Sequence, residues 1–354
     1  WATVTSDPLE LAAGTHTLRL VAGGSSFNLN FVTVSQVADA APVPAPAPTP
    51  VPEPAPEPEP APQPEAPYTT YFVSPSGNDS SDGSLNNPWR SLSASMEKLR
   101  AGDLLLVRGG QYRERVEVRG ESVPRGTPDA RITVRAYPGE EPLVVGMFWI
   151  SNADYWTFDN IDVTWDTTYV NTEEHMVRMY KGHGWIFENS EISGARSFAA
   201  FVANGGTTGW TIRGNYIHNT VPSNNPSQDQ LIYVATASDG LVERNLLVTS
   251  PNGRGVKLGR PSAGEGLPAN VIVRYNTIVD SGSGNVGVSY DAHDNQIYGN
   301  IMINAGGGYH TVHAWHLTGQ NNVVRDNIAF GSEGVIEAGA GLVDGGGNQF
   351  VNPL

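Results

Sequence analysis

A five-residue pattern that recurs seven times without gaps limits the fold of this chain more than any other feature. The segments begin at Thr157, Ile186, Thr211, Leu241, Ile272, Gln296 and Val323, and each carries an apolar residue at its second place. The last five end in asparagine, at Asn215, Asn245, Asn276, Asn300 and Asn327, with spacings of 30, 31, 24 and 27 residues. A variable period around a fixed asparagine describes a coil with one constant tight corner and other corners of varying length. Stacked asparagines can hydrogen-bond along such a corner, and asparagine tolerates the left-handed backbone that the bend is expected to impose on it.

A second column runs between these segments: Val177-Arg178-Met179, Ala199-Ala200-Phe201, Ile232-Tyr233-Val234, Val256-Lys257-Leu258, Val286-Gly287-Val288, Val312-His313-Ala314 and Ile336-Glu337-Ala338. Side chains alternate along a strand, so the flanking residues are expected inside and the middle ones outside. The outward ladder then reads Arg178, Ala200, Tyr233, Lys257, Gly287, His313, Glu337, with neighbouring coils ~4.8 Å apart. A propeller would instead need four antiparallel strands per repeat. The expected fold is all-β, a parallel β-helix over residues 68–354.

Two further segments precede it. Residues 1–37 read as about three antiparallel strands, too few for an independent core. Proline fills every even position from Pro42 to Pro64, then Pro67, a density that no helix or sheet survives. Residues 38–67 are therefore expected to be a polyproline II spacer, up to roughly 80 Å long. The chain starts and stops inside strand-like segments, so it is read as a fragment of a longer secreted protein, with the β-helix truncated at its C-terminus. Its net charge is −15, dispersed apart from the cluster Glu53, Glu57, Glu59 and Glu65. It lacks the basic footprint of a nucleic-acid binder, and no apolar run reaches membrane-spanning length. There is no cysteine, which a secreted protein with a large core tolerates.

The opening Tyr71-Phe72-Val73-Ser74-Pro75-Ser76-Gly77-Asn78-Asp79-Ser80-Ser81-Asp82-Gly83-Ser84, with Asn87-Pro88-Trp89-Arg90-Ser91-Leu92, resembles the start of many secreted bacterial β-helix proteins. So does Ala101-Gly102-Asp103 through Gly109-Gly110-Gln111-Tyr112. That group includes pectate and alginate lyases and some glycoside hydrolases. The resemblance implies a right-handed helix, an extracellular location, and a monomer whose partner is a polysaccharide. Trp1-Ala2-Thr3-Val4, Ala13-Gly14-Thr15-His16-Thr17-Leu18 and Phe27-Asn28-Leu29-Asn30-Phe31 resemble the last strands of a family 6 carbohydrate-binding module. There an aromatic stacks on the sugar and an asparagine bonds to it. Trp1 and Asn30 are the matching positions, with Asn28 as an alternative ligand and a core role as the alternative for Trp1. Most of the module is absent, so no binding is expected of this stub.

Cleaving a uronic acid polymer by β-elimination needs a cation or metal on the carboxylate, a base for the C5 proton and an acid for the leaving oxygen. Arg254, Lys257 and Arg260 cluster within one short stretch of an acidic chain, and Tyr233 and His313 are acid and base types such lyases use. Gly287 is expected to leave a trough for a sugar ring between Lys257 and His313, with Trp315 as a stacking platform and Arg178 as a further substrate contact. The competing reading makes the lysine an ordinary solvated strand residue and the arginines loop charges. Hydrolysis would need two carboxyls ~5–9.5 Å apart. Asp229, expected outward on the Tyr233 strand, and Asp291 or Asp294 are the candidates. Tyr290-Asp291-Ala292-His293-Asp294 also resembles the Asp-Pro-His turn of mannuronan C5-epimerases, which implies an acid/base role for His293. Ala292 replaces the proline, and Val288 stands where that family has a tyrosine. His310 and His313 are expected on opposite faces, and no metal site is expected. Asn78 to Gly83 has the oxygens for calcium but also reads as a turn, so calcium stays open and no other cofactor is called for. Elimination is favoured over hydrolysis and epimerisation. A non-catalytic glycan-binding or adhesion solenoid is the remaining class.

Overall fold

The computed structural model describes residues 69–170, 174–222, 228–260, 267–306, 308–337 and 340–351. The expected partial module, with Trp1 and Asn30, and the proline-rich spacer lie outside them.

Three parallel sheets of 11, 8 and 10 strands carry the described chain, and apart from the first pair, Thr70–Val73 with Leu104–Val107, hydrogen-bonded neighbours are not consecutive in sequence. Each coil visits the three sheets in turn and stacks on the coil before it. Among the described residues the one α-helix is Leu92–Met96. The fold is a right-handed parallel β-helix. No described helix is long and apolar enough to cross a membrane.

The seven repeated segments pair in the register their alignment implies, from Thr157 with Ile186 through to Gln296 with Val323, in the 11-stranded first sheet. Their second residues, from Phe158 and Phe187 to Ile297 and Val324, are fully buried. Beyond them the five asparagines form a ladder. The N–H of Asn215, Asn245, Asn276 and Asn300 each donates to the next asparagine Oδ1 at 3.0 Å. Each Nδ2 donates to that same oxygen and, at 3.0 Å, to a carbonyl one coil back. Ser190 and Asn348 extend the ladder at its two ends. The left-handed residue of the corner is not the asparagine but the residue before it: Gly214, Arg244, Tyr275, Gly299 and Asp326 all have positive φ. Asparagine is required for an amide that donates and accepts at once, which saturates a buried corner.

On the outside of the first sheet, Arg135, Asp159, Glu188, Arg213, Glu243, Arg274, Tyr298 and Arg325 share one register. Arg213 pairs with Glu188 at 2.5 Å and Arg274 with Glu243 at 2.7 Å. Opposite charges across strands favour this register over a slipped one. Inside, Trp156, Trp185, Trp210, Phe148, Phe158, Phe187 and Phe201 fill the N-terminal coils. Trp185 and Trp210 stack with centroids 5.6 Å apart.

The second sheet, of eight strands, corrects the outward ladder at one rung. Arg178 pairs with Val202 and Val202 with Tyr233, so Val202 takes the place expected for Ala200. Phe201 points inward, edge-on to Phe187 at 5.1 Å. Two adjacent alanines offered no contrast in size or polarity to set the alternation. From Tyr233 the expected order holds: Lys257, Gly287, His313. In the loop from Asn78 to Gly83, Asn78 accepts the Ser80 N–H and Asp82 the Ser84 N–H. Asp79 accepts the N–H groups of Arg90 and Ser91 and the Ser91 hydroxyl. These oxygens are engaged in fastening the loop.

Candidate functional site

On the outer face of the second sheet lies an open cavity of about 450 Å³. Five expected residues line it: Arg254, Lys257, Arg260, His313 and Trp315. Lys257 stands on the strand Val256–Leu258, and His313 stands two coils on, with Gly287 between. Arg254 comes from the turn before the Lys257 strand and Arg260 from the residues after it. Trp315 ends the strand Val312–Trp315.

The Arg254 guanidinium lies 4.1 Å from the Trp315 ring centroid, and its Nη2 is 3.2 Å from His313 Nε2. Arginine can only donate, so His313 accepts and carries its proton on Nδ1. The His313 ring stacks on Trp315 with centroids 5.3 Å apart and meets Tyr309 at a tilt, 4.8 Å away. Arg254 is anchored through its backbone as well, its N–H donating to Gln230 Oε1 at 2.8 Å. Lys257 Nζ sits 4.5 Å from the Tyr233 ring and 5.6 Å from the Trp315 ring. Among the described residues no carboxylate pairs with it.

Burial sets the protonation of this group. It pushes the Lys257 amine down to about 8, and the Arg254 charge adds to the effect. It lowers Arg254 to about 10. Burial, with the charges of Arg254 and His310, holds His313 down at about 3, so the imidazole is neutral. Burial pushes Tyr233 up to about 12. The site thus offers an amine poised near neutrality beside fixed guanidinium charge, the combination that suits proton abstraction next to an anion. Among the described residues no three of His, Asp and Glu are grouped to hold a metal ion. The cavity's Arg254, Lys257 and Arg260 are a donor set that repels a cation and attracts a carboxylate.

Several expectations change. Gly287 leaves no trough. A Cβ there would meet Arg254 Cδ and Nε at 2.5 Å and Trp315 at 2.8 Å, so the space over the glycine is filled by those side chains. Gly259 is covered in the same way by Ser289. Asp229 does not face outward. It is fully buried at φ 68°, and its carbonyl accepts the Thr220 and Ser250 hydroxyls. The strand begins at Gln230, so alternation does not reach Asp229. For the same reason His310, in the turn before Val312, shares the cavity with His313 rather than pointing away from it. Tyr233 packs behind Lys257 and does not line the cavity. Arg178 lies three coils away. Asp291 and His293 sit in the corner beyond Tyr290, where Thr318 Oγ1 donates to Asp291 and His293 Nδ1 is 2.6 Å from Asp294 Oδ2. They do not line the cavity. Tyr290, Tyr309 and Gln228 do line it, and sequence reasoning assigned none of them to this face. Each sits in a turn, where no periodic signal applies.

The profile of the family described as "Pel9A-like, right handed beta helix region" matches residues 71–240. Pectate lyase L of Dickeya dadantii (strain 3937) is 26% identical over 175 residues, 44% of this chain and 39% of that protein. Pectate lyase PEL9 of Emericella nidulans is 25% identical over 112 residues, 26% of this chain and 27% of that protein. The chain therefore spans well under half the length of these relatives. The solved structure of XylC with xylose superposes with a TM-score of 0.57 at 14% identity, over 80% of this chain and 68% of that one, a likeness of fold. The chain is a parallel β-helix protein similar in sequence to pectate lyases, and the stretch matched by the family profile ends at residue 240, before the coil that carries Lys257.

Proposed function

We propose that this protein is an extracellular lyase that cleaves a uronate-containing polysaccharide by β-elimination in the Lys257 cavity. The observation that carries the reading is the Lys257 amine itself: buried, lowered to about 8, and set among arginines. In this reading Arg254 and Arg260 receive the uronate carboxylate, which makes the C5 proton more acidic. Neutral Lys257 takes that proton. The electron pair forms the C4–C5 double bond, the C4–O glycosidic bond breaks, and the leaving oxygen takes a proton from a phenol of the cavity wall, Tyr290 or Tyr309. His313 is a positioning residue, because its neutral ring accepts from Arg254 and holds the guanidinium. The pectate lyase relatives support the same class of reaction.

Among the described lining residues Glu337 is the single carboxylate, and its Oε2 accepts the Ala314 N–H at 3.1 Å. The two-carboxyl arrangement of a glycosidase therefore has less support here. Incubation with polygalacturonate, alginate, a glycosaminoglycan and a neutral glucan tests the reading. Ultraviolet absorbance of an unsaturated uronide is expected with one of the anionic polymers. Reducing ends without that chromophore would replace the lyase with a hydrolase. Inverted C5 stereochemistry without cleavage would replace it with an epimerase.

A further inference from the structure

The outward register of the second sheet continues away from the cavity to a second group of cations and aromatics. Arg178 pairs with Trp149 on one side and with Val202 on the other, and Tyr180 ends the same strand. The Arg178 guanidinium lies 4.4 Å from the Trp149 ring centroid and 5.1 Å from that of Tyr180. Arg119 covers the Trp149 ring at 4.2 Å, and Lys181 Nζ lies 5.6 Å from the Tyr180 ring. Arg119 pairs with Glu117. Among the described residues no carboxylate pairs with Arg178 or Lys181. The one side-chain hydrogen bond of Arg178 runs from Nε to Asn204 Oδ1 at 3.3 Å, which leaves both Nη groups uncommitted. Burial lowers the pKa of this guanidinium, so a carboxylate arriving beside it would relieve a partly desolvated charge.

We propose that Trp149, Arg178, Tyr180 and Lys181 form a second, non-catalytic binding site for carboxylate-bearing polysaccharide. Two aromatic rings flank the Arg178 guanidinium, whose fork can receive a carboxylate through two parallel hydrogen bonds. Arg178 and Lys257 are three register steps apart, from Arg178 to Val202 to Tyr233 to Lys257. That is ~14 Å along the helix axis, several pyranose units of an extended chain. A polymer that reaches both sites gains affinity by effective concentration, whereas an oligomer too short to reach both does not. The proposal takes its substrate class from the lyase reading, but binding can be measured without turnover.

Affinity electrophoresis of the full chain through gels containing polygalacturonate, alginate or a neutral glucan tests it. An anionic polymer is expected to retard the wild type and the Lys257→Ala variant. Arg178→Ala and the Arg178→Ala/Lys181→Ala pair should each lose on the order of tenfold in affinity, the scale of a lost charge-assisted contact. Arg178→Lys, which keeps the charge but not the fork, should fall between. Thermal melts establish that each variant is folded. Where turnover is measurable, KM of the Arg178 variants should rise most with polymer and progressively less as the oligosaccharide shortens. Equal retardation of wild type and Arg178→Ala would overturn the second site, and equal retardation by the neutral glucan would overturn the carboxylate. If no polymer is turned over but retardation still depends on Arg178, the lyase reading fails and the second site stands.

Discussion

Asn276 shows how one residue secures the coil. It accepts from Asn245 and donates to Asn300 and to the carbonyls of Val242 and Arg274, all at an almost fully buried corner. Asn276→Leu removes these partners and leaves the buried groups that bonded to it unpaired. It should cost roughly 1–3 kcal/mol, read from a denaturation midpoint. Gly287 acts by omission. Gly287→Ala should push Arg254 out from under Trp315 and lower kcat/KM by about tenfold or more while the circular dichroism spectrum is kept. Lys257 is the costly residue. Its amine is lowered from 10.5 to about 8, so holding it charged below pH 8 costs on the order of 3 kcal/mol. That cost disappears as pH rises through 8 to 10.5, because the unfolded chain then loses the protons the native state has already released. Lys257→Met should therefore melt higher than wild type at pH 6 and turn over nothing. A variant that is both active and no more stable would count against the desolvated amine.

At the scale of elements, the site is a product of strand ends. The middle of the second-sheet strands supplies Lys257 and His313, while Arg254, Arg260, Tyr290, Tyr309 and His310 come from the flanking turns. Parallel pairing holds these pieces in fixed register, so the amine and the guanidinium are preorganised. The activity should follow this geometry in its pH dependence. kcat/KM is expected to rise with an apparent pKa near 8 as Lys257 loses its proton. Lys257→Arg should abolish turnover, since a guanidinium stays protonated. An activity that is level from pH 6 to pH 9 would exclude the lysine as base.

For the whole molecule, buried histidines contribute to the acid limit. His175 and His313 are both held at about 3 by burial, well below the 6.5 expected once unfolded. Between those values the unfolded chain binds more protons than the native one, so stability falls as the pH drops from 6.5 toward 3. His313→Gln should flatten part of that loss in melting temperature against pH. Alternating proline from Pro42 to Pro64 argues that the spacer joins units that fold separately. Proteolysis within residues 42–67 is then expected to leave the melting temperature of the β-helix unchanged, and a large drop would refute independence.

The sequence by itself determined the coil. Strand alternation and a hydrogen-bonding corner residue are local, repeated properties, so the seven segments pair in the register their repetition implies, and the neighbours Tyr233, Lys257, Gly287 and His313 follow in order. Only the tertiary structure decided what happens where strands stop. Alternation carried one residue too far put Asp229 outside, when a left-handed turn buries it. The same extrapolation separated His310 from His313. An empty position at Gly287 looked like room for a sugar, but a neighbouring turn had already sent Arg254 across it. Which side chain fills a gap depends on residues a coil or two away, and those contacts have no period to read.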